Sequence, residues 1–235
     1  MAFKVPYRRN TRFSLRSIGL KGVKISMTKE LKEHLIRCEK AMQSSKPILG
    51  KHEFPTDNRT MTVIGFISWL IEHQESIVLL EIYDKAGSAT ALYRVVVEGA
   101  YRALWINLPA TDEEVKRFNE KDRIDLEFGD IATALDIAYS TGDFFHDFKT
   151  RAWKHLNSYT HGGMHQIGRR FVKQEIKNNY SDEEIYEMTT SVTTIVLLVI
   201  MSFLKTQGHA DSGDQVQALM ETYGPLADGK KQATV

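Results

Sequence analysis

The sequence predicts an all-α protein, a helical bundle of about seven to eight helices, on three observations. Apolar residues recur at intervals of three and four over long stretches. Boxes with a hydroxyl residue three positions before a carboxylate stand ahead of several of these stretches, where they would satisfy free helix amides. No segment alternates strictly, carries an Asn-Gly hairpin signal or repeats short strands at even spacing. At 235 residues with 42% hydrophobic content, the chain has enough apolar material for one substantial core. Its expected organisation is a basic arm over residues 1–27, a single helical domain over 28–222 and a polar tail over 223–235.

The first helix is expected from Thr28, with Leu31, Leu35, Cys38 and Met42 on one face, ending near Ser45. Residues 46–58, with Pro47, Gly50 and Pro55, read as a loop. A long helix follows over about 60–85, carrying Val63, Ile67, Leu70, Ile77 and Leu80. Gly87 and Ser88 punctuate it, and residues 89–108 form a second strongly apolar helix that Pro109 stops. Thr111 and Glu114 make a capping box for a short helix. Residues 126–140 form another, closed by Gly142. Asp143 then caps a helix whose stripe is Phe145, Phe148, Ala152, Leu156 and Tyr159, with Gly162 and Gly163 ending or bending it. Ser181 and Glu184 form a second capping box before Ile185, Met188, Val192, Ile195, Val199 and Phe203. Residues 212–215 read as a third box before a short final helix with Val216 and Leu219.

Charge is distributed unevenly. The chain has 31 Lys and Arg against 30 Asp and Glu, a formal +1, yet residues 1–29 hold eight basic residues and no acidic one. Taking those 8 from 31 leaves 23 basic residues facing 30 acidic ones in the body. The arm reads first as a flexible basic tail and second as a phosphate-contacting segment. A start at Met27 would strip it of meaning. Basic residues every few positions break the apolar run that a secretory signal needs, so a cytoplasmic protein is expected. The most apolar stretch, residues 191–204, is shorter than the roughly 20 residues that cross a bilayer and reads as a buried core helix, with no membrane involved. A single cysteine, Cys38, excludes a disulfide framework, and its place on an apolar stripe makes it core filling rather than a nucleophile.

Polar residues on otherwise apolar faces supply the functional candidates, because burying a charge without a partner is expensive. Arg94, Glu98, Arg102 and Trp105 share one helix face. They read either as an ion-pair ladder along the helix or as an inward pair that holds an anion or positions a histidine. The second cluster is Asn157, Tyr159, His161 and His165 around the double glycine, with Arg169 and Arg170 beyond. Imidazole can take or give a proton near neutral pH, Asn and Arg can orient or neutralise a phosphoryl group, and a helix restarting after Gly163 would aim amides at an anion. His161 and His165 also have the spacing of paired metal ligands, which Glu98, His155 or Asp147 could complete. The Gly-Gly break and the lack of an HExxH pattern argue against that set. P-loop, dinucleotide-binding and GxSxG motifs are absent from the sequence, so neither metal nor cofactor is expected.

The pairing of Tyr93-Arg94-x3-Glu98-x3-Arg102-x2-Trp105 with Asn157-Ser-Tyr-Thr-His161-Gly-Gly resembles bacterial helical proteins similar to AbiV-type abortive-infection proteins and, more distantly, the HEPN superfamily. The resemblance covers about residues 60–205. It implies an α-helical bundle, often dimeric, acting as a metal-independent ribonuclease in phage-defence or toxin–antitoxin systems. The HEPN signature is an Arg, commonly followed by Asn, with a His four to six residues later. Asn157 and His161 match it, while the Arg position holds Leu156. The resemblance therefore implies His161 as the proton-transfer group, Asn157 as the phosphate-orienting group and a cation brought from elsewhere, by Arg94, Arg102 or Arg169. RNA is the implied substrate, and a second copy or another helical protein the implied partner. Leu156 supports the alternative of a noncatalytic binding or regulatory module in which the same residues form a buried polar network.

Overall fold

Capping chemistry sets where most helices begin. In the computed structural model, which describes residues 2–5 and 27–223, the Thr28 hydroxyl accepts from the Leu31 amide at 3.2 Å and opens α1 (Lys29–Gly50). Asp57 accepts from the Thr60 amide at 3.0 Å and opens α2 (Asn58–Ile82). Then come α3 (Ala86–Asn107), α4 (Asp112–Lys121) behind the Thr111–Glu114 box, α5 (Phe128–Tyr139) and α6 (Phe144–Thr160). After the one-turn α7 (Met164–Ile167), the Ser181–Glu184 box starts α8 (Asp182–Thr206), and α9 (Ala210–Tyr223) closes the described chain. The all-α bundle read from the sequence is the observed fold.

The apolar stripes converge on α2, α3 and α8, with α1 and α9 against α8 and with α5 and α6 against α3. Ile67, Leu70, Ile77, Leu104, Ile106 and Phe203 are among the fully buried side chains, each worth about 1.5–3 kcal/mol relative to exposure. Helices α2 and α3 come close because position 99 has no side chain. A Cβ on Gly99 would lie 2.2 Å from the Trp69 ring, so the larger residue would have to push the two helices apart. By length and composition α2 and α8 could each cross a membrane, but 67% of the most apolar window of α8 and 44% of that of α2 are buried inside the bundle.

Four expectations are corrected. Helix α1 does not stop near Ser45 but runs through Pro47 to Gly50. Proline there removes the N–H that would bond to Gln43, yet the added turn buries Leu49 completely and lets Lys46 pair with Glu75 of α2. Short strands also exist. β1 (Ala2–Lys4) pairs antiparallel with β2 (Glu53–Pro55), and β3 (Phe171–Val172) pairs with β4 (Glu175–Ile176). The start of the basic arm is accordingly no free tail: Phe3 sits opposite the fully buried Phe54 and Val5 belongs to the core. The arm's residues 6–26 and the tail's residues 224–235 lie outside the described residues. Finally, Ser212 does not cap the last helix. The His209 carbonyl takes the amides of Ser212 and Gly213 at 3.1 and 3.0 Å, so α9 begins earlier, and the buried Ser212 hydroxyl bonds His52 Nε2 at 2.8 Å.

Candidate functional site

Helix α3 carries Arg94, Glu98 and Arg102 one turn apart, and the helix packed against it, α6, carries Trp153, Asn157 and then His161 at the same spacing. The Arg94 guanidinium lies over the Trp153 ring, 4.8 Å from its centroid, a cation–π contact. From there its Nη1 donates to His161 Nε2 at 2.5 Å. Nε2 is thus the acceptor, which places the ring proton of a neutral imidazole on Nδ1. Glu98 holds Arg94 at 3.7 Å and Arg102 at 2.6 Å. An ion-pair ladder therefore runs along α3, and its first arginine also reaches His161.

The histidine is presented by the end of α6. The His161 amide closes the helix on the Asn157 carbonyl at 3.0 Å. Gly162 turns the chain at φ +65°, the left-handed region that glycine enters without cost. Gly163 then passes so close to Ser158 that a Cβ would meet its Oγ at 2.4 Å. The double glycine thus folds the chain back beneath the helix end and leaves His161 exposed. Two polar atoms beside it, Arg94 Nε and Asn157 Oδ1, are buried without a hydrogen-bond partner. Such orphans are costly in a finished core, by about 1–3 kcal/mol each, and mark this contact as unsatisfied on its own.

The remaining predicted residues gather elsewhere. Arg169 forms a two-pronged ion pair with Glu184, donates to the Asn179 carbonyl at 3.1 Å and lies 5.4 Å from the centre of the Tyr180 ring. Burial would lower its pKa, but Glu184 and then Tyr159 outweigh that and raise it. Glu184 in turn is held below its ordinary value: burial opposes this, and the Ser181 amide and Arg169 prevail. Arg170 donates to Asn178 Oδ1 at 2.5 Å. Arg169 and Arg170 thus stitch the segment between α7 and α8 and do not join Arg94. Arg102 is likewise taken up by Glu98.

One further expectation changes. Helix α7 has only four residues. Its His165 amide is bound by Ser158 Oγ at 3.2 Å and its next two amides by the Gly163 carbonyl, so the restart after the double glycine offers no anion site. The two spaced histidines also part company, His161 toward Arg94 and His165 against the His155 ring at 4.6 Å. Among the described residues no three His, Cys, Asp or Glu side chains are grouped to hold a metal. Leu156 is buried, and Cys38 is buried with its thiol pushed up to about 11, chiefly by that burial, as fits core packing.

Two residues escaped sequence reasoning. Trp153, four positions before Asn157, carries the stacking that steers Arg94, and the 153–157–161 spacing is the signal that could have found it. Glu81 is buried with both carboxyl oxygens unpartnered, and burial, aided by Asp84, pushes its pKa up to about 8. It sits within an apolar run of α2, where nothing in the pattern distinguishes it from an exposed glutamate.

No curated protein and no solved structure matches the chain. Residues 67–227, which take in α3, α6, α8 and the whole Arg94–His161 contact, match the family described as Family of unknown function (DUF6988), and the chain belongs to that family.

Proposed function

We propose that the protein is a HEPN-like helical ribonuclease, similar to AbiV-type proteins, acting in the cytoplasm on RNA without a metal ion, with phage defence or toxin–antitoxin control as its setting. The observation that carries this reading is the 2.5 Å approach of Arg94 Nη1 to His161 Nε2. The signature's arginine is replaced by Leu156 on α6, and Arg94 of α3 brings a cation to the same histidine. An incoming phosphodiester would draw the guanidinium onto its oxygens and so free Nε2. Nε2 then accepts the proton of the 2′-hydroxyl as that oxygen attacks the adjacent phosphorus. The bond from phosphorus to the 5′-oxygen breaks, His161 returns the proton to the leaving oxygen, and a 2′,3′-cyclic phosphate remains. Arg94 stabilises the charged phosphorane and Asn157 orients the phosphate.

Purified protein carrying His161→Ala should lose cleavage of single-stranded RNA by about 10²–10⁴-fold while keeping its melting temperature and helical spectrum. Retained cleavage would remove the assignment. A second reading, a noncatalytic regulatory or binding module, is favoured by the way Arg94 is clamped between Trp153 and Glu98. Under it His161→Ala lowers the melting temperature or weakens binding to a second copy or another helical protein, and the wild-type chain leaves RNA intact.

A further inference from the structure

Helices α6 and α8 both lean on α3 but scarcely touch each other, so a groove runs between them with α3 as its floor. Two adjoining cavities of about 360 and 390 Å³ occupy it, sharing Glu187 and Ser191 in their linings. From Glu184 to Leu198 along α8 the groove is roughly 21 Å long at 1.5 Å per residue. It lies along the Ala152, His155 and Tyr159 side of α6, away from Asn157 and His161. Its two ends differ. At one, Tyr93, Tyr159 and Tyr180 are in the lining, and Glu187 lies where the two cavities join. At the other, the walls are Phe145, Phe148, Ile195 and Leu198.

We propose that this groove is a binding site for a small organic cation with an apolar tail, the cationic head against Glu187 and the Tyr93 ring and the tail along Phe148, Ile195 and Leu198. Three features fix that chemistry. No Lys or Arg lines either cavity, and Glu187 is an exposed carboxylate with no ion pair among the described residues, whereas Glu184 is already neutralised by Arg169. Two of the tyrosine hydroxyls are engaged, Tyr93 with Ser191 at 2.7 Å and Tyr180 with Gln166 at 2.6 Å. The Tyr180 ring already faces Arg169, so what remains for a ligand is the π-face of Tyr93, which lines the cavity together with Glu187 and can attract a cation. At the far end Tyr101 spends its hydroxyl on the Phe145 carbonyl at 2.9 Å, leaving a hydrocarbon wall suited to an alkyl or aromatic tail. The volume falls within the roughly 300–1,000 Å³ of small-molecule sites.

The test is calorimetric titration of the full chain with octyltrimethylammonium, octanoate and octanol, each below its aggregation threshold, alongside methyl-labelled NMR. Saturable one-to-one binding of the cation is expected, at least about tenfold tighter than octanoate, with shifts at the Ile195 and Leu198 methyls. Glu187→Gln, an exposed change that should leave melting untouched, should weaken the cation about fivefold and leave octanol unaffected. Equal binding of octanoate, indifference to Glu187→Gln, or shifts confined to methyls outside the groove would each overturn the proposal. So would sedimentation as a dimer that buries the groove methyls, which would give the site to a second copy instead.

Discussion

Two arginines of this protein each bridge two elements, and they do so in opposite ways. Arg169 spends its guanidinium on a carboxylate, a backbone carbonyl and a tyrosine ring, and the carboxylate it holds is also the capping residue of α8. Every contact fixes the polypeptide. Arg94 stacks on Trp153, leans on a shared carboxylate and donates to the exposed His161 ring, while its Nε and the neighbouring Asn157 oxygen stay unpartnered. A fully satisfied arginine is part of the scaffold; Arg94 keeps a buried, unpartnered Nε beside an exposed histidine, and under the proposed function that is where a phosphodiester would arrive.

The contrast can be broken by exchange of roles. Arg94→Ala should reduce RNA cleavage by about 10²–10³-fold, the range for removing a preorganised group that stabilises developing charge, with the fold retained by circular dichroism. Arg94→Lys should rescue little, because the flat guanidinium that stacks on Trp153 is lost. Cleavage that survives Arg94→Ala would place Arg94 with Arg169 as scaffold.

The next largest effect concerns Glu81, a buried charge site with no partner. Its folded-state pKa of about 8 lies above the ordinary value of 4.5, so the native state holds a proton that the unfolded chain releases. Stability from this group is complete below about pH 4.5 and is lost as pH rises through 8, by up to about 1.4 kcal/mol per pH unit in that window. Glu81→Gln should flatten this slope in denaturant titrations at pH 5, 6.5 and 8 and stabilise the protein most at the highest of them. An unchanged slope would mean that Glu81 gains a partner in solution.

Arg169→Ala is expected to cost only about 1 kcal/mol, since the ion pair with Glu184 is partly exposed. It should loosen the segment from α7 to α8, raising amide exchange there, and leave cleavage within about twofold. A loss of cleavage as deep as that of Arg94→Ala would erase the distinction between the two arginines.

The smallest effect is at the pair His52 and His209, stacked at 3.9 Å. His52 is lowered from 6.5 by burial first, then by His209 and Lys51. The native state therefore resists a proton that the unfolded chain accepts, and stability present above pH 6.5 falls as the solution is acidified below it. His52→Gln should remove part of that acid sensitivity in thermal melts at pH 5 and 7.

Much of the fold was legible because it is written locally. The Thr111 and Ser181 boxes, the stripe of α8 and the glycines after α6 each involve residues within a few positions of one another, and the interactions that fix them act over the same distance. Pro47 misled because the local cost of a proline was weighed without the burial of Leu49 that offsets it. The pairing of residues 2–4 with 53–55 is a contact between distant segments, which no periodicity reports.

For the candidate site, the sequence by itself singled out Arg94, Glu98, Arg102, Asn157 and His161, with Tyr159, His165, Arg169 and Arg170 beside them, because charged and polar groups interrupt apolar helix faces at spacings that fix which share a face; it did not single out Trp153. Only the tertiary structure decided which faces meet. It set Arg94 against His161 through Trp153, tied Arg102 to Glu98 and diverted Arg169 and Arg170 to Glu184 and Asn178. The physical reason is that helical spacing defines directions around one axis, whereas a contact between two helices depends on their relative rotation and closeness. Those are set by packing, and between α2 and α3 they are admitted by the missing side chain of Gly99.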